Sequence, residues 1–271
     1  MDSRSRLWAF VVGVLVVVAL VVGFFMLRGM GARRPTVPEA PAVARPTPET
    51  APTSARTLVP PLPEGVSLDD SDGPVRVVVG VLSSNPVWMK WLASEDLVRR
   101  FVASVDNVAH GRSPRSHLDF ARPGGRFSVV ERGGVLVTDP KSFRRYDLAT
   151  EVFTSLDTAG TVAAFGELEP LMDQAHAEIG KPGTTFRETL WKAMAELLSA
   201  PVVPAGVPLE EKVVTYRYAD PRLEELSDAQ RHLLRMGPRN VQRIQARLRE
   251  LAHALGMPEA MIPPPSVYEP S

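Results

Sequence analysis

The stretch LLRMGPRNVQRIQARLREL (Leu233–Leu251) decides what kind of domain this chain builds. After Gly237 and Pro238, the residues Val241, Ile244, Leu248 and Leu251, and then Leu255, recur at alternating steps of three and four. That spacing puts one clean apolar seam along an α-helix and fits no strand. Gly237 and Pro238 divide this helix from an earlier one, in the order in which helices stop and restart. The earlier helix begins at Ser227-Asp228-Ala229-Gln230, a capping box in which Ser227 and Gln230 satisfy each other's free amides.

The same spacing recurs outward from this point. Leu97, Phe101, Val105 and Val108 form one apolar face after the acidic Ser94-Glu95-Asp96 start. Leu148, Val152, Phe153 and Leu156 form another after Asp147. Phe165, Leu168, Met172, Ala175 and Ile179 form a longer one that Pro170 is expected to kink or divide, with Gly180 and Pro182 as its stop. Phe186, Leu190, Met194 and Leu197 are amphipathic again. Asp72-Gly73-Pro74, Asn85-Pro86, Asp139-Pro140 and Asp220-Pro221 each place a cap shortly before a proline. VRVVVGVL (Val75–Leu82) is β-branched but follows such a cap, and is read as helix. RFSVVERGGVLVTDP (Arg126–Pro140) holds two β-rich runs around Gly133-Gly134 and is predicted to be a hairpin. KVVTYRY (Lys212–Tyr218) is predicted to be one further strand. The expected fold is mainly α (α+β): a helical domain with a small β-hairpin and one further strand, over residues 67–256, with 257–271 an unstructured tail.

The amino-terminal part has a different character. After a short polar segment (1–6), Leu7 to Leu27 runs without a charge, long enough as a helix to span a bilayer. Trp8 stands at its edge, where aromatics favour the headgroups. Residues 28–66 are rich in Pro, Ala and Thr and are expected to be a linker, unable to bury enough apolar surface to fold. From Pro35 to Gly65 it reaches at most roughly 90 Å in a polyproline-like form. Arg4 and Arg6 nearly balance Arg28, Arg33 and Arg34, slightly favouring a cytoplasmic carboxyl side. The long spacer instead favours an exported domain standing off the membrane. The expected location is the bacterial inner membrane, single-pass, with the carboxyl-terminal domain periplasmic.

Formal charge is zero, 31 basic against 31 acidic side chains, so no nucleic-acid partner is expected. The absence of cysteine excludes disulfides, zinc ribbons and thiol nucleophiles.

FVASVDNVAHGRSPRSHLDF (Phe101–Phe120) is the most suggestive stretch for chemistry. Asp106, His110, His117 and Asp119 are candidate acid–base groups or metal ligands, with Asp106 and His110 leading. The histidines are seven apart across Gly111 and Pro114, wrong for a helical zinc pair. Asp106 and Asn107 sit where short polar side chains cap turns, and Arg99 and Arg100 are near enough to pair with carboxylates. A capped turn is the reading these residues favour. GKPGTT (Gly180–Thr185) lacks phosphate-loop spacing, and Asp69, Asp70 and Asp72 lack the glycine and distant glutamate of a calcium loop. No cofactor or metal is expected. Arg239, Arg243 and Arg247 recur every fourth residue opposite the apolar seam, with Arg231 and Arg235 before them. They form either a contact for an anionic surface or a solvated face balanced by Glu224, Glu225 and Glu250.

DLVRRFVASVDNVAHG, DPKSFRRYD, YRYADPRLEEL and LLRMGPRNVQRIQARLREL together resemble the bacterial family called domain of unknown function 3014, over about Ser67 to Leu255. The resemblance implies an anchor, a Pro-rich spacer and then the domain. It assigns no activity and therefore no site residue. The function expected is a membrane-tethered, non-enzymatic binding or scaffold module of the cell envelope. Its partners are the bilayer, through Leu7–Leu27, and a protein or wall polymer. The alternative is a membrane-anchored hydrolase using Asp106 and His110.

Overall fold

The computed structural model describes residues 58–118, 121–179, 183–213 and 215–270. The predicted span Leu7–Leu27 and most of the linker lie outside the described residues, as do Asp119, Gly180, Pro182 and Val214. Among the described residues, no helix is long and apolar enough to cross a membrane.

Helices dominate, as the apolar spacing requires. They are α1 (Asp72–Gly80), α2 (Pro86–Trp91), α3 (Leu97–Ala109), α4 (Pro140–Arg144), α5 (Asp147–Thr154), α6 (Thr158–Ile179), α7 (Phe186–Leu198), α8 (Pro221–Glu224), α9 (Asp228–Leu234) and α10 (Pro238–Ala254). The cap-before-proline device works at three of its four sites. Asn85, Asp139 and Asp220 each accept the backbone N–H two residues on. At the fourth, Asp72 reaches a different helix. Its carboxylate accepts from the amides of Asp96 and Leu97 at 2.9 Å each, capping α3 across a gap of 24 and 25 residues. The acidic Ser94-Glu95-Asp96 start therefore lies ahead of the helix, and Asp96 takes a left-handed conformation before it.

α3 packs between α6 and α7, and α10 packs on α5, α6 and α7. Their facing seams close one core. Phe186 at its centre is fully buried, with Phe165 stacked 6.4 Å away and Phe101 edge-on at 5.7 Å. In α10, Val241, Ile244, Leu248 and Leu251 are all buried, as the seam predicts. α6 is not divided at Pro170. A helix-interior proline costs roughly 3 kcal/mol. Phe165, Leu168, Leu171 and Met172 are buried on either side of it, at about 1.5–3 kcal/mol each, so packing prevails.

The four strands form one antiparallel sheet, β1 (Val129–Arg132), β2 (Val135–Thr138), β3 (Leu209–Glu211) and β4 (Tyr216–Tyr218), in that order. The hairpin is where it was predicted. The expectation of one further strand is corrected to two. Lys212 N–H donates to Thr215 O at 2.7 Å between the two strands, and Val213 is fully exposed. β3 reads LEE, which has no alternation to betray it, and it forms through pairing with β2 and β4.

The expectation of an unstructured tail is corrected as well. Met257 is 4% exposed, and Met261, Ile262 and Tyr268 pack on the core. Val267 bridges Val202 in parallel, and Val202 N–H donates to Ser266 O at 2.8 Å. Prolines that suggest disorder here hold an extended segment whose apolar residues dock. At the other end, Val59 and Leu62 pack on the core and Leu62 N–H donates to Glu167, so the packed domain begins ahead of residue 67.

Candidate functional site: an apolar pocket beside the helix end

Asp106 and His110 are brought together, but at a turn. His110 Nδ1–H donates to the Asp106 carbonyl at 2.8 Å, one helical turn back. Asp106 accepts from Arg112 at 3.0 Å, while Arg112 Nε–H donates to Asn107 Oδ1 at 2.9 Å. Gly111, at φ +69°, then turns the chain against α9, where Ala229 N–H donates to its carbonyl at 3.0 Å. His117 is partly exposed in the following loop. Among the described residues, no group of three or more His, Asp or Glu converges on a metal position. The acidic run disperses in the same way: Asp69 pairs with Arg99, Asp70 accepts from the Ser67 hydroxyl, and Asp72 caps α3.

The arginine row on α10 also separates. Arg247 keeps only 10% of its side chain exposed, donating to Thr158 and Glu250. Arg243 donates to Thr154 at 3.1 Å, and Arg239 is exposed. Arg231 pairs with Glu224 and Asp228.

Two histidines outside the suggestive stretch are the more deeply set. His176 Nε2 shares a hydrogen bond with the Thr189 hydroxyl at 3.0 Å. His232 Nδ1 shares one with the Ser113 hydroxyl at 2.7 Å. Burial, with Arg235 and Arg115 nearby, holds the His232 imidazole below its ordinary range. Burial also pushes the Tyr218 phenol up to about 12. Neither residue lines the apolar pocket between α1, α2, α3 and α6.

That pocket is walled almost wholly by apolar side chains. It has a volume of about 270 Å³ and lies between α1, α2, α3 and α6. Val79, Trp88, Trp91, Phe101, Phe165 and Leu168 are prominent in its wall. Phe101, expected in the core, is instead 46% exposed and stands at the mouth. Two long connections set the opposite wall. Arg76 of α1 donates to Leu92 O at 2.6 Å and Ser94 O at 2.7 Å, tying the α2–α3 link to α1. The indole N–H of Trp88 donates to Val79 O at 2.9 Å, fixing that ring. The sequence carried a trace of this pocket. VRVVVGVL is apolar on nearly every face, more than a one-sided surface helix needs, and Trp88 and Trp91 are three apart on a short helix. The pairing of that helix with Phe101 and Phe165 comes only from the fold.

The family model "Protein of unknown function (DUF3014)" matches residues 97–252, more than half of the chain. The match runs from the start of α3 to near the end of α10, so Trp88 and Trp91 precede it and the docked tail follows it. No curated protein and no solved structure matches.

Proposed function

We propose that this chain, which belongs to the DUF3014 family, is a single-pass protein of the bacterial inner membrane. Its tethered periplasmic domain serves as a non-enzymatic binding or scaffold module of the cell envelope. The observation that carries the binding role is the aromatic-walled pocket of about 270 Å³. A concave, largely apolar, preformed site is the usual form of a ligand pocket. The charge-free run Leu7–Leu27 supports the anchor, and the Pro-rich segment after it supports a domain carried on a tether. The hydrolase alternative is weakened at Asp106 and His110: they meet at 3.3 Å, but Arg112 holds the Asp106 carboxylate and the Asp106 carbonyl holds His110 Nδ1.

The test is a photo-cross-linking residue at Phe101 in the full chain, irradiated in intact cells. The expected result is an adduct from the Phe101 position that disappears when Thr161→Phe fills the pocket. An adduct indifferent to Thr161→Phe, or none at all, would overturn the binding role. Separately, reporter fusions at the carboxyl terminus are expected to be active only for an enzyme that works outside the cytoplasm.

A further inference from the structure

We propose that the pocket takes a single hydrocarbon chain, the acyl tail of a lipid, and this rests on the binding role above. The reason lies in what the wall offers a ligand. Few of its side chains carry polar atoms, and most of those atoms are engaged by the protein. Trp88 N–H is given to Val79 O. The Thr161 hydroxyl is given to Asp157 O at 2.6 Å. Arg100 and Trp91 each have interactions of their own, and within the Arg100 guanidinium the buried Nε is left without a hydrogen bond among the described residues. A peptide in irregular or extended form would bring N–H and C=O groups into a wall with little to satisfy them, at a cost of about 1–3 kcal/mol each. A polyproline segment has the same difficulty, because aromatic grooves that recognise it normally contribute an indole or phenol donor, and the Trp88 donor is committed. A hydrocarbon chain needs no such partner and gains about 0.8 kcal/mol per methylene buried.

The wall is open to solvent at an apolar side chain too: Phe101, which lines the pocket, is 46% exposed. An exposed apolar side chain at an apolar pocket is a contact that a lipid tail can make on entry.

The test uses the full chain in lipid nanodiscs, with Trp8→Phe and Trp191→Phe so that Trp88 and Trp91 alone report. A brominated acyl quencher is supplied in two arms, as free fatty acid or as phospholipid of the disc. Saturable quenching is expected, with apparent affinity falling about tenfold or more, or roughly 1.4 kcal/mol per decade, in Thr161→Phe and independently in Val79→Phe. Thermal unfolding checks that each variant folds, so that loss of fold in one leaves the other to decide. Quenching in the first arm alone identifies a free acid, and in the second alone a bilayer lipid. Quenching that does not saturate, or that is unchanged from the parent chain in both variants, overturns the hydrocarbon ligand. If the variants still abolish the Phe101 adduct in cells, the pocket binds something else and the binding role survives; if they do not, both fall together.

Discussion

Gly237 sits at φ +83° and ψ 160°, a region that only glycine occupies freely. A Cβ there would meet the Phe143 ring at 2.5 Å. Gly237→Ala is therefore expected to destabilise the domain by about 2 kcal/mol or more, combining backbone strain with overpacking, as read by urea unfolding. The sequence marked Gly237 as a helix stop, but the aromatic ring that forbids a side chain lies almost a hundred residues away. His232 was not singled out in the sequence at all. Its imidazole is held below the ordinary 6.5, first by burial and then by Arg235 and Arg115. A depressed histidine means that the unfolded chain takes the proton first. Stability is complete above 6.5 and declines as pH falls below it. His232→Gln is expected to flatten that decline, measured by unfolding on both sides of 6.5. No local pattern announces such a residue, because burial is a property of neighbours.

Helices were legible one by one, since each carries its own seam and its own punctuation. α7 starts on a Thr185–Glu188 capping box and α9 on Ser227–Gln230, both written in adjacent residues. Asp72 shows where local reading stops. It sits in a cap-like position for α1, yet its carboxylate holds the first amides of α3 and faces Arg76 at 3.5 Å. Asp72→Ala is expected to cost about 1 kcal/mol, the usual loss of an N-cap, and to increase amide exchange at the start of α3 more than in α1. If exchange rose in α1 alone, the cross-helix cap would be wrong. The third strand is the opposite case. Leu209-Glu210-Glu211 has no strand signal, and its conformation follows from partners on either side.

At the scale of the whole domain, the carboxyl-terminal segment closes the structure. Met257 is buried, Val267 bridges Val202, and Tyr268 donates to Asp220 while Arg222 lies 5.1 Å from its ring. Removing residues 257–271 is expected to lower stability by about 2 kcal/mol for Met257 alone. The change would be seen as a fall in Tm and faster proteolysis around Val202. The neighbouring guanidinium of Arg222 and the Tyr268 hydroxyl hold the Asp220 carboxyl far below its usual range. This latch accordingly weakens only as pH falls below the ordinary carboxylate value of 3.8. The sequence by itself determined the helical class, the hairpin, the presence of the main helices and a charge-free segment of membrane length, because periodicity, caps and composition are written in consecutive residues. Only the tertiary structure decided that the proline-rich tail docks, that Asp106 and His110 are spent on a turn, and that two tryptophans from α2 meet two phenylalanines from α3 and α6 around one pocket. Those outcomes depend on which distant side chains become neighbours, and apolar burial, which has no direction, chooses among them only when the whole core closes.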